Sequence, residues 1–118
     1  MSRSRIAVVG VIVVAFVIAG GALIYANQSH GGQNLTINLT VTGANKMTPD
    51  NPTAHLNDTV TINITSDQTG EVHLHGYDIP FDCNAGQVTT HTFKADKSGQ
   101  FEMEWESTST RLGYFSVS

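Results

Sequence analysis

From residue 35 onward, apolar and polar side chains alternate with a period of two over much of the chain. Leu35, Ile37, Leu39 and Val41 are interleaved with Thr36, Asn38, Thr40 and Thr42. Val60, Ile62 and Ile64 alternate with Thr61, Asn63 and Thr65, and Phe101, Met103 and Trp105 with Glu102, Glu104 and Glu106. Near the end, Phe115 and Val117 alternate with Tyr114 and Ser116. Successive side chains of a strand point to opposite faces, so this pattern predicts strands with one buried face and one wet face. Residues 72–81 read as one further strand, which Pro80 assigns to an edge or a bulge. Residues 88–93 read as another. Turns are expected at 67–70, 84–87 and 96–99, and residues 43–52, with Pro49 and Pro52, read as a loop. No helical period follows residue 26. The pattern predicts an all-β fold, a Greek-key β-sandwich of about seven strands over residues 35–118.

One segment departs from this pattern. Residues 6–26 form an uncharged run rich in Val, Ile, Ala and Gly. Its 21 residues at about 1.5 Å each give roughly 30 Å of helix, enough to cross a bilayer. Arg3 and Arg5 precede the run, and no Lys or Arg follows until Lys46. That asymmetry predicts a cytoplasmic N-terminus (residues 1–5) and one N-terminal transmembrane helix or uncleaved signal (6–26). The remainder then lies outside, at the cell surface or in the periplasm. The alternative is a cleaved signal peptide and a secreted domain. Against it stand the length of the run and the weak small-residue pair of Ile24 and Ala26. Residues 27–34, polar and containing two glycines, read as a linker.

Charge and cysteine content narrow the function classes. Beyond the run, four basic side chains face ten Asp and Glu, a net charge of −6. No basic patch exists, so nucleic acid is not an expected partner. Cys83 is the single cysteine, so the domain must be held by its core alone. Cys83 reads as a small buried hydrophobe, a dimer-forming thiol or a soft copper ligand. Asn-X-Ser/Thr triplets at Asn27, Asn34, Asn38, Asn57 and Asn63 are glycan acceptors or simply strand-face composition. No nucleotide-binding glycine loop and no nucleophile–base arrangement is visible, and enzyme activity is not expected.

Histidine gives the clearest candidate chemistry. His73 and His75 are two apart on a predicted strand and so share a face. Imidazole is a common ligand of copper, zinc and nickel, and the pair is a candidate metal site; hydrogen-bonded histidines without an ion are the alternative. Candidate further donors are Glu104 and Cys83, with His91, Met103 and Glu106 behind them. Met103 and His91 share parity with Phe101 and Phe93 and are expected to face the core, Met103 as packing. Glu104 and Glu106 have solvent parity. His30 and His55 fall in the linker and a loop.

Three segments resemble the cupredoxin family: Glu71-Val72-His73-Leu74-His75-Gly76-Tyr77-Asp78-Ile79, then Phe93-Lys94-Ala95-Asp96-Lys97-Ser98-Gly99-Gln100-Phe101, then Leu112-Gly113-Tyr114-Phe115-Ser116-Val117. The N-terminal run before such a domain resembles subunit II of haem-copper oxidases. The resemblance implies a cupredoxin-like sandwich and a connection with copper. Carried onto this chain, the family's first ligand His falls at His75. Its Cys falls at Trp105, its second His at Thr108 and its Met at Arg111. Trp, Thr and Arg cannot form a blue-copper centre, so blue-copper electron transfer is not expected. In their place Trp105 would fill the former metal volume and Arg111 would pair with Glu104 or Glu106. Two functions remain: copper handling at a non-blue His73–His75 site, or a metal-free interaction module, such as an accessory subunit of a membrane complex or a partner of a surface protein.

Overall fold

A computed structural model of the chain describes residues 32–118. The N-terminal run 6–26, residues 1–5 and most of the 27–34 linker lie outside the described residues. Among the described residues nine strands form: β1 Asn34–Thr42, β2 Lys46–Thr48, β3 Thr53–Ala54, β4 Thr59–Ser66, β5 Gly70–Leu74, β6 Ile79–Cys83, β7 Val88–Lys94, β8 Gly99–Trp105 and β9 Thr110–Val117. One 3-10 turn, Glu106–Thr108, joins the last two. The strands make a four-stranded sheet, β2-β1-β4-β7, and a five-stranded sheet, β3-β9-β8-β5-β6. Among the described residues no helix is long and apolar enough to cross a membrane.

The apolar half of each alternating strand closes the space between the sheets. Leu39, Val41, Val60, Ile62 and Ile64 meet Val72, Leu74, Phe81, Met103, Trp105, Phe115 and Val117, all buried. Burying such side chains supplies roughly 1.5–3 kcal/mol each before the ordering entropy is counted. β1 and β4 run parallel, Leu35 beside Val60 through Val41 beside Ser66. A parallel pair needs a crossover, which β3 supplies by leaving the first sheet to pair with β9.

The strand count differs from the sequence reading in two places. The stretch 43–52 contains β2 and leads into β3, elements too short to display an alternation. The expected strand 72–81 is a hairpin instead: β5 and β6 pair antiparallel, with Leu74 opposite Ile79. Gly76 (φ +83°) and Asp78 (φ +56°) occupy left-handed backbone in the connection, which glycine tolerates at no steric cost. Inward parity changes from Val72 and Leu74 to Phe81 and Cys83, because the four residues 75–78 between the paired Leu74 and Ile79 set odd positions opposite even ones.

The buried Asp58 ties the entry of β4 to its surroundings. Its carboxylate accepts the backbone N–H groups of Gln33 (3.0 Å) and His55 (2.9 Å). Asp58→Ala would strand both donors, and a loss of about 1–3 kcal/mol is expected in urea unfolding. Asp58→Asn, which keeps an acceptor, should recover part of it.

Candidate metal site

The polar face of β5 and the polar face of β8 are the same surface, because the two strands pair antiparallel with Val72 opposite Trp105, His73 opposite Glu104 and Leu74 opposite Met103. The alternation that buries Val72, Leu74, Met103 and Trp105 therefore turns Glu71, His73, Glu102 and Glu104 outward. His75 follows directly after β5, and its backbone N–H donates to the Glu102 carbonyl at 2.9 Å. The connection that carries it is pinned beneath. A Cβ on Gly76 would lie 2.3 Å from the Phe101 ring. Tyr77 packs on Phe93 and Phe101, and its hydroxyl donates to the Lys97 carbonyl (2.6 Å) and accepts the Lys97 N–H (3.0 Å).

Each histidine stands among carboxylates. His73 Nδ1 lies 3.1 Å from Glu71 Oε2 and 3.9 Å from Glu106 Oε1, and its Nε2 lies 3.1 Å from Asp78 Oδ1. His75 Nε2 lies 2.7 Å from Glu104 Oε1. The His73 and Glu104 side chains are only 19% and 16% exposed, so these contacts are partly shielded from water. The two imidazoles stack, with centroids 4.5 Å apart and planes tilted by 32°. Burial alone would lower the pKa of His73. The hydrogen bond that His73 donates to Glu71, the charge of Glu106, and the hydrogen bond to and charge of Asp78 outweigh it and hold the pKa above the ordinary 6.5.

That raised pKa has a sign. The ion-paired His73 contributes stability that is complete below the unfolded value near 6.5 and is lost as pH rises through the folded value. Without metal, the melting temperature of wild type minus that of His73→Gln should be larger near pH 6 than near pH 8, a window set by the raised pKa.

Two sets of three donors lie within 4.8 Å of one another, Glu71–His73–Glu106 and His75–Glu102–Glu104. Glu104, a candidate donor from the sequence, is in place beside His75. Cys83 is not: it sits on the inward face of β6, opposite Gly70, 3% exposed. Burial pushes its thiol pKa up, with Thr89 opposing and the Asp82 charge adding to the rise. A buried, protonated thiol facing the other side of the sheet is no partner for these histidines. Met103 is fully buried packing, and His91 lies edge-on to Phe81 at 4.9 Å. His55 lies in an exposed loop. Glu71, Glu102 and Asp78 were not singled out from the sequence. The signal for Glu71 and Glu102 was there in the shared outward parity of residues 71, 73 and 75 and of 102, 104 and 106, but only the β5–β8 pairing joins the two rows; Asp78 joins from the β5–β6 connection.

The carried-over ligand-loop positions do not fit a blue-copper centre. Trp105 is buried, its indole lying over Gly70, where a Cβ would meet it at 2.3 Å. Thr108 Oγ1 pairs with Thr110 Oγ1 at 2.8 Å. Arg111 lies opposite Glu104 in register, yet it donates to the Tyr114 hydroxyl at 2.7 Å and stands over that ring. The expected Arg111–carboxylate pair is absent among the described residues. The register shift between Met103 and Glu104 accompanies Arg111's turn toward Tyr114. Nor does the fold bring His75 to Trp105. His75 binds at Glu102, three residues along β8 from Trp105, roughly 10 Å at strand spacing.

No family model matches the chain, and no curated protein matches it. Solved structures do. A haem-copper terminal oxidase chain matches with a TM-score of 0.61 at 17% identity, over 76% of this chain and 67% of that one. A copper binding protein in its apo form, solved by NMR, matches with a TM-score of 0.62 at 13% identity, over 74% and 97%. A laccase from Botrytis aclada matches with a TM-score of 0.54 at 15% identity, over 75% of this chain and only 23% of the laccase. At these identities the likeness is one of fold, and the described domain has a cupredoxin-like fold.

Proposed function

We propose that this chain is a membrane-anchored, extracytoplasmic cupredoxin-like protein that binds a divalent transition-metal ion, Cu(II) foremost, on the outer face of its five-stranded sheet. One observation carries the reading: β5 and β8 bring His73 and His75 onto a surface of four glutamates, with donor atoms a few ångströms apart. Imidazole and carboxylate donors suit Cu(II), Zn(II) and Ni(II), and Cu(II) stands highest among these in intrinsic affinity. The donors contain no thiolate, so the site would be a non-blue one. The copper binding protein among the fold neighbours makes copper the first ion to test. Residues 6–26 supply the anchor, and Arg3 and Arg5 set its orientation. Binding and release outside the cell would suit delivery or sensing rather than catalysis.

A metal-free module is the alternative, and the short His75–Glu104 contact supports it, since that histidine has a partner without an ion. Calorimetric titration of the full chain with Cu(II) separates the two. Micromolar or tighter binding is expected, corresponding to about −8 kcal/mol or better, and it should be abolished in His73→Ala/His75→Ala. Absence of binding in the folded wild type would leave the module.

A further inference from the structure

We propose that this face holds two metal ions, one on each histidine, an inference that rests on the metal-binding reading above. A ring nitrogen offers its lone pair in the plane of the ring, so an ion shared by two imidazoles must lie in both planes. His73 and His75 instead lie ring against ring, with centroids 4.5 Å apart and planes tilted by 32°. Stacked rings at that spacing direct their lone pairs past each other. The carboxylates divide accordingly. Glu71 and Glu106 gather at His73, and Glu102 and Glu104 at His75, and the two sets share no residue. Among the described residues no set of three close donors contains both histidines. Bonds of about 2.0–2.2 Å place the donors of one ion some 3–4 Å apart. The donors of each set lie within 4.8 Å of one another, so small side-chain rotations bring them to that spacing.

The surroundings suit two cations. Glu71, Asp78, Glu102, Glu104 and Glu106 carry five negative charges, and Arg111, the nearest cation in register, is engaged by Tyr114. Asp78, at 3.1 Å from His73 Nε2, leaves Nδ1 facing Glu71. This is the carboxylate–imidazole arrangement that fixes the tautomer and ring orientation of metal-ligating histidines. The first ion offsets part of the negative charge and weakens the field felt by the second, so loading proceeds in two unequal steps.

The test is Cu(II) loading of the full chain, read by native mass spectrometry for stoichiometry and by electron paramagnetic resonance for proximity. Wild type should take two ions per chain, and the second equivalent should broaden the signal of the first by spin–spin coupling. His73→Ala and His75→Ala should each retain one ion and lose the broadening. Glu106→Gln should weaken only the step that His73→Ala removes, and Glu102→Gln only the step that His75→Ala removes; these variants keep side-chain volume and guard against misfolding of the alanine variants. Saturation at one ion overturns the pair, whether both histidine variants abolish it or only one does. Two ions retained in both histidine variants overturns it as well. Absence of any binding sinks the underlying metal reading rather than its stoichiometry alone.

Discussion

Trp105→Ala is expected to cost about 3–5 kcal/mol, the range for truncating a large buried aromatic. Trp105 stands where the cupredoxin resemblance assigns the copper-ligating cysteine, but it is a buried core residue, 3% exposed. Its indole covers Gly70 so closely that a Cβ there would lie 2.3 Å from it. The backbone of Gly70 cannot move in without breaking its pairing with Cys83, so the volume left by the indole would stay largely open. At about 4–8 °C per kcal/mol for a domain of this size, the melting temperature should fall by at least about 12 °C. Trp105→Phe, which keeps much of the ring, should lose far less. A small loss for Trp105→Ala would mean that this end of the sandwich collapses readily and that Trp105 does not replace a metal centre by packing.

Gly113→Ala is the second large effect, and it acts through backbone alone. β9 passes so close to residue 50 that a Cβ on Gly113 would lie 2.1 Å from the Asp50 carbonyl oxygen. That carbonyl accepts the Tyr114 N–H at 3.0 Å, so the two segments are held at this distance by their own hydrogen bond. A methyl group must push them apart, and neither is a flexible side-chain end that could swing away. Overpacking of this kind costs about 3 kcal/mol, and the hydrogen bond would be lost with it. Urea unfolding should show a lower midpoint with an unchanged slope. An unaltered midpoint would show that the 49–52 segment is free to retreat.

Most of the fold was legible because it rests on a local signal. The alternation at residues 35–41, 60–64 and 101–105 states which side chains are buried, and Leu39, Val41, Ile62, Ile64, Met103 and Trp105 are buried as that parity requires. It does not state which strand lies beside which. The parallel pairing of β1 with β4 leaves no trace, since strands alternate alike in either direction. The hairpin at 75–78 was missed because one long apolar alternation was assumed through Gly76, although the parity change between Leu74 and Phe81 marks the fold-back. The candidate site was half visible. That the two histidines lie side by side was legible from their spacing. Their carboxylates were not, except for Glu104 and Glu106, because Glu102 and Glu71 join the site through a pairing of strands some thirty residues apart in sequence. Arg111 was assigned to the wrong partner for a related reason, because the bulge that accompanies its turn toward Tyr114 is a property of paired strands. Residues 6–26 lie outside the described residues, and their role as an anchor rests on length, apolarity and the flanking arginines.

The most direct test of the central claim is the spectrum of the full chain with one equivalent of Cu(II). A tetragonal Cu(II) signal with nitrogen coupling is expected, without an intense visible thiolate band, and it should disappear in His73→Ala/His75→Ala while the fold is retained. An intense blue band, or a copper signal indifferent to both histidines, would contradict the assignment of the metal to the outer face of the five-stranded sheet.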